Sequence, residues 1–121
     1  MVADTNILIA YLKGDSLVVK QIDAHRDSGL PIYISVINTI EILSLARLTA
    51  AEIQNIRSFL LDFTSIPVEN QLAETAAEFR RRYSLSTTDA IIVATAYLYN
   101  EPLITRDKAL HKVEEIRLIL L

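Results

Sequence analysis

Cysteine is absent from this 121-residue chain, which excludes a disulfide framework and any thiolate metal site. Its two histidines, His25 and His111, are well separated and offer no metal-ligand spacing, so a metal bound here is expected to be held by oxygen. Glycine and proline are scarce, at two and three residues, while apolar residues make up 51%. That balance excludes a disordered or low-complexity chain, and no linker or internal repeat interrupts it, so one domain is expected over residues 1–121. Long apolar runs are missing too. The longest, Ala90 to Tyr99, falls well short of the roughly 18 residues of a membrane span, and the N-terminus lacks the basic flank of a signal peptide. A cytoplasmic protein without membrane contact is the expectation. An excess of positive charge is also missing, since the net charge is −3. This argues against a broadly basic nucleic-acid binder but leaves room for local basic patches. The apolar content is high for one small core, which points to a protein partner or a homodimer interface.

What is present is an alternation of short apolar runs and helix-sized segments. Val2-Ala3 ends in Asp4, and Thr5 to Leu12 reads as a helix stopped by Gly14. Ser16 is expected to cap a second helix reaching Ser28, with Gly29 as its stop. Leu30 to Ser35 reads as a strand, and Ser35 or Asn38 starts a helix that runs through Ile40 and Leu43 to Leu48. Thr49-Ala50-Ala51-Glu52 has capping-box spacing ahead of a helix through Phe63. Thr64 to Val68 reads as a strand placed at an edge by Pro67, whose nitrogen cannot donate to a ladder. Helices follow from Leu72 to Tyr83 and from Thr88 to Tyr99, then a strand at Leu103 to Thr105, a short helical turn from Arg106 to Val113, and a last strand from Ile116 to Leu121. Strands joined by helix-sized connections predict a parallel sheet of the α/β class, covered on both faces.

In such a sheet only acids at strand C-ends or helix N-ends converge on one edge. Of the fifteen acidic residues, four pass that filter: Asp4 after the first strand, Glu41 in the helix after the second, Asp89 in the first turn of the helix leading to the fourth, and Asp107 just past the fourth. Each has an ordinary reading. Asp89 suits a helix dipole or helps Thr88 cap, Glu41 completes a capping box with Asn38 or lies on a wet face, and Asp107 makes an Asx-turn. Asp4 is harder to explain away, because an acid between apolar runs is costly to bury unless it is paired or bound to metal. Four carboxylates at one edge repel one another and raise each other's pKa unless a divalent cation neutralises them. Oxygen-only donors favour Mg²⁺ or Mn²⁺ over zinc, and such a site suits phosphodiester hydrolysis, in which one or two metals activate water and stabilise the attacking and leaving oxygens. Thr5, Asn6 and Thr105 stand beside these acids and either orient them by hydrogen bonds or serve turns and caps.

The segments Asp4-Thr5-Asn6, Ser35-Val36-Ile37-Asn38-Thr39-Ile40-Glu41, Thr88-Asp89-Ala90-Ile91-Ile92-Val93-Ala94-Thr95-Ala96 and Leu103-Ile104-Thr105-Arg106-Asp107 together resemble the PIN domain, in particular the compact VapC-type toxins of toxin-antitoxin pairs. The four motifs occur in the family's order and span nearly the whole chain. The resemblance implies a three-layer α/β/α fold with a five-stranded parallel sheet, a Mg²⁺- or Mn²⁺-dependent endoribonuclease, and a VapB-type antitoxin that occludes the site. It assigns metal binding to Asp4, Glu41, Asp89 and Asp107, with Thr5, Asn6 and Thr105 as supporting residues. Three departures accompany it. Only three residues precede Asp4, so either the first strand is short or the chain is trimmed ahead of it; Leu110 stands where an aromatic often follows the fourth acid; and Glu41 lies nearly two turns into a helix that begins at Ser35.

For gripping RNA, Arg80, Arg81 and Arg82 precede the Asp89 segment, and Arg106 and Lys108 flank Asp107; three arginines in a last helical turn also simply complement the helix dipole. Other functions share this pattern. A PIN nuclease acting in RNA processing outside a toxin-antitoxin system differs by lacking an adjacent antitoxin reading frame. A non-catalytic interaction domain of the same fold would bind no metal. A phosphoacceptor receiver domain needs an acid pair that nothing ahead of Asp4 supplies.

Overall fold

The computed structural model describes all 121 residues. In chain order the elements are β1 (Val2–Ala3), α1 (Thr5–Leu12), α2 (Ser16–Asp27), β2 (Tyr33–Ser35), α3 (Val36–Leu43), α4 (Ala50–Leu60), β3 (Thr64–Ile66), α5 (Asn70–Tyr83), α6 (Thr87–Leu98), β4 (Leu103–Thr105), a 3₁₀ turn (Lys108–Lys112) and β5 (Leu118–Leu120). The five strands form one sheet in the order β3-β2-β1-β4-β5, every neighbouring pair parallel. This is the expected five-stranded parallel sheet in a three-layer α/β/α fold.

Strand alternation splits the core in two. Val2 and Leu103 point into one apolar cluster with Leu72, Phe79 and Ile92 of α5 and α6. Their neighbours Ala3 and Ile104 point the opposite way, into a second cluster with Ile7, Ile22, Ile42 and Ile56 from α1 to α4. A sheet buried on both faces needs apolar residues at successive positions, which is why its strands read as short unbroken apolar runs. Helix α6 is the most enclosed of the helices: every residue from Ala90 to Ala96 is buried, and the Thr95 hydroxyl is satisfied by the Ile91 carbonyl at 2.8 Å.

The boundaries follow local chemistry. Gly14 and Gly29 follow α1 and α2 at φ +76° and +77°, a conformation open to glycine at little cost. Asp15, rather than Ser16, caps α2, its carboxylate accepting from Val18 N at 3.2 Å. Helix α3 stops at Leu43 instead of running to Leu48, and Arg47 in the following loop takes φ 65°. Apolar spacing through Leu48 had no helix stop in it, but the chain turns there to begin the Thr49–Glu52 capping box of α4. β3 lies at the sheet edge, and Pro67 falls just beyond it.

Candidate active site

The strand order itself selects the site. From β1 the chain moves through β2 to β3 on one side, then crosses back through α5 and α6 to β4 on the other side of β1. Beyond the C-ends of β1 and β4, where connections diverge in opposite directions, a parallel sheet leaves a crevice. Asp4 leaves β1 into that crevice, and Thr105 ends β4 beside it, with the Asp4 amide bonded to the Ile104 carbonyl at 3.0 Å.

Asp4 is only 6% exposed. Its Oδ1 accepts the Thr5 amide at 2.8 Å, and its Oδ2 accepts the Thr105 hydroxyl at 2.7 Å and the Asn6 amide at 3.3 Å. Burial nonetheless holds its pKa above the ordinary 3.8, outweighing those hydrogen bonds, and the charges of Asp89 and Glu41 push it the same way. The carboxylates of Glu41 in α3 and Asp89 in α6 thus lie within electrostatic reach of Asp4.

Glu41 reaches the site despite its depth in α3. Thr5 Oγ1 donates to Glu41 Oε1 at 2.7 Å and accepts from Asn38 Nδ2 at 2.8 Å. Asn38 is fully buried, and its Oδ1 takes the Ser35 amide at 2.6 Å to close a capping box with Ser35. The box is thus Ser35 with Asn38, not Asn38 with Glu41, which leaves the Glu41 carboxylate free to face Thr5. Asp89 stands in the first turn of α6, whose cap is the Ser86 hydroxyl rather than Thr88; Asp89 donates its amide to Ser86 at 3.1 Å while its carboxylate makes no hydrogen bond.

Asp107 is tied in differently. Its amide donates to Thr105 Oγ1 at 2.9 Å, but its carboxylate turns away to cap the 3₁₀ turn, accepting from Ala109 N at 2.9 Å. Asn6 links the two loops, its Oδ1 accepting the Arg106 amide at 3.2 Å. Glu41 and Asp89 therefore act on Asp4 through their charges, Asp107 is joined through Thr105, and no three acids stand close enough to form a ready-made metal cage.

The donor chemistry still fits a hard divalent cation. None of the four acids is ion-paired: the salt bridges are Met1 with Glu101, Arg26 with Asp62, Arg82 with Glu115 and Arg106 with Asp15. Both Asp89 oxygens, Glu41 Oε2 and Asp107 Oδ2 have no protein donor, and every available ligand atom is an oxygen. Among the basic residues, Arg80, Arg81 and Arg82 are exposed on the last turn of α5, with Arg82 turned to Glu115, and Lys108 is exposed on the 3₁₀ turn. Asn38 and Asp15 were missing from the sequence-derived set. The Ser35-x-x-Asn38 spacing signals a cap, but nothing in it signals that the same amide also holds Thr5.

Residues 1–116 match the family model described as PIN domain. A toxin-antitoxin complex from Klebsiella pneumoniae contains a chain 31% identical to this one, covering 95% of this chain and 93% of that chain at a TM-score of 0.81. VapBC2 from Rickettsia felis bound to a promoter DNA fragment shares the fold at 18% identity and TM-score 0.85, covering 99% and 97%. FitAcB from Neisseria gonorrhoeae shares it at 20% identity and TM-score 0.76, covering 98% and 95%. No curated protein sequence matches the chain significantly.

Proposed function

The chain belongs to the PIN domain family, with the fold of VapC-type toxins, and from that premise we propose that it is a Mg²⁺- or Mn²⁺-dependent endoribonuclease acting at Asp4, Glu41, Asp89 and Asp107. The observation that carries the reading is Asp4: an almost fully buried carboxylate that feels the charges of Glu41 and Asp89, with no cationic side chain paired to any of the three. Burying uncompensated like charge is costly, and a bound divalent cation removes that cost.

The chain's own residues set the stage for hydrolysis. Thr5 N, Thr105 Oγ1 and Asn6 Nδ2 fix the plane of the Asp4 carboxylate, and the Asn38–Thr5 hydrogen bond fixes Glu41. The Ser86 cap sets Asp89 at the mouth of α6 with both oxygens open. A divalent cation, when bound, neutralises charge on the scissile phosphodiester and makes water a usable nucleophile near neutral pH. The Asp107 carboxylate caps the 3₁₀ turn through Oδ1 and would offer its free Oδ2 to the cation.

The same reading makes the protein the toxin of a toxin-antitoxin pair, held inactive by a VapB-type antitoxin protein, supported by the 31% identity to a chain from a toxin-antitoxin complex. A homodimer is part of it, since Leu12, Ile40, Leu45 and Leu61 leave large apolar side chains in solvent. No helix is long and apolar enough to cross a membrane. The activity test is cleavage of a single-stranded RNA pool with Mn²⁺, with EDTA, and with Asp4→Asn. Cleavage lost in the last two is expected; Mn²⁺-dependent cleavage that survives Asp4→Asn sinks the assignment. Growth arrest on expression, relieved by co-expressing the antitoxin, tests the toxin role.

A further inference from the structure

Next to the acids, an open recess of about 470 Å³ lies between the end of α1 and the β4 exit, lined in part by Asn6, Lys13, Gly14, Asp15 and Arg106. Two of its features are unusual for a loop surface. Arg106, although exposed, is held from both ends: its amide is bonded to Asn6 Oδ1 at 3.2 Å and its Nη2 to Asp15 Oδ2 at 2.7 Å. Asp15 is itself fixed, because its other oxygen accepts the Val18 amide as the cap of α2. The guanidinium is thereby oriented over the recess with its other N–H groups making no bond to the protein, and Lys13 on the same rim has no partner.

We propose that this recess is a backbone-phosphate subsite for the RNA strand flanking the scissile bond, in which Arg106 contacts a phosphate and Asp15 is the residue that positions it. The proposal rests on the nuclease reading and adds to it a point of strand contact. A continuous chain of bonds, Asp4 to Asn6 to Arg106 to Asp15, fixes the guanidinium relative to the carboxylates, as a register contact requires. An arginine suits the role better than a lysine, because its planar fork keeps donors for a phosphate after one is committed to a carboxylate. Asp15 is already neutralised by that pair: the Arg106 guanidinium holds its carboxyl below the ordinary range, so it presents little free negative charge to an incoming strand.

The test separates positioning from simple charge. Affinity for a fluorescent single-stranded RNA is measured with EDTA present in an Asp89→Asn background, which leaves the Asp4–Asn6–Arg106 bonds intact, so that binding is read without cleavage. Added Arg106→Gln is expected to weaken binding about tenfold and to flatten the dependence of log K on log salt by about 0.7, the loss of one phosphate contact. Added Asp15→Asn retains a good helix cap but frees the guanidinium. If Asp15 positions Arg106, this change weakens binding several-fold even though it removes a negative charge; if charge alone matters, it strengthens binding. Tighter binding by Asp15→Asn, an unchanged salt slope in Arg106→Gln, or no RNA binding at all overturns the proposal. Normal binding effects with no Mn²⁺-dependent cleavage by the unmutated protein would instead leave the subsite standing and remove the nuclease reading.

Discussion

Replacing Asp4 with asparagine is expected to cost the metal-free protein less stability at neutral pH than at pH 4, although the residue is buried and triply hydrogen-bonded. The side chain is 6% exposed, and burial together with the Asp89 and Glu41 charges raises its pKa above 3.8 in spite of the Thr105 and Thr5 hydrogen bonds. Between 3.8 and the raised value the native state holds a proton that the unfolded chain has released, so stability falls as pH rises through that window and stays lower above it. Each unit of displacement amounts to about 1.4 kcal/mol. Asparagine abolishes that term but offers one acceptor where Asp4 has two, so its amide group meets a donor at Thr5 N or at Thr105 and Asn6, a cost of about 1–3 kcal/mol that does not vary with pH. The net expectation is a difference that moves in favour of the variant as pH rises from about 4 to about 7.5 in EDTA. Paired urea titrations at the two pH values measure it. A difference between the metal-free proteins that does not change with pH, or that moves against the variant as pH rises, refutes the view that Asp4 carries an uncompensated charge.

Other perturbations probe the same framework. Saturating Mn²⁺ is expected to shift the balance toward the unmutated protein, because at a hundred times Kd a ligand adds about 2.7 kcal/mol to the protein that binds it; thermal melting of both proteins with Mn²⁺ and with EDTA checks this. Thr5→Val keeps the shape of a buried residue but leaves the Asn38 amide without its acceptor and Glu41 without its donor. A loss of about 2 kcal/mol with an unchanged urea m-value is expected, together with slower RNA cleavage at saturating substrate. Gly29→Ala meets no neighbouring atom, so its cost arises from φ +77° alone. A destabilisation of about 1 kcal/mol in urea, smaller for Gly29→Asn, is the expected result.

Most of the fold was legible in the sequence, because local signals and packing agree. Apolar runs at Val2-Ala3, Tyr33–Ser35 and Leu103–Thr105 became strands buried on both faces, the Thr49–Glu52 box started α4, and Pro67 marked the edge strand. What failed were choices between adjacent polar residues. Asp15 displaced Ser16 as a cap because its carboxylate also binds Arg106 across 91 residues, a contact no local pattern encodes. The same limit applies at the site. Sequence placed Asp4, Glu41, Asp89 and Asp107 near one sheet edge by counting strand and helix ends. It did not reveal that Asn38, read as a cap, would steer Glu41 through Thr5, nor that the Asp107 side chain would be engaged with Ala109. Those arrangements depend on hydrogen-bond partners brought together only by the folded chain.

The central claim, that these carboxylates belong to one cation site, is tested most directly by anomalous diffraction from crystals of the protein soaked in Mn²⁺. The account predicts a manganese peak at the β1/β4 crevice, coordinated by Asp4 and by at least two of Glu41, Asp89 and Asp107, with Thr5 and Thr105 still holding their carboxylates. No peak at saturating Mn²⁺, or a peak elsewhere with Asp89 and Asp107 remaining apart from Asp4, would contradict it.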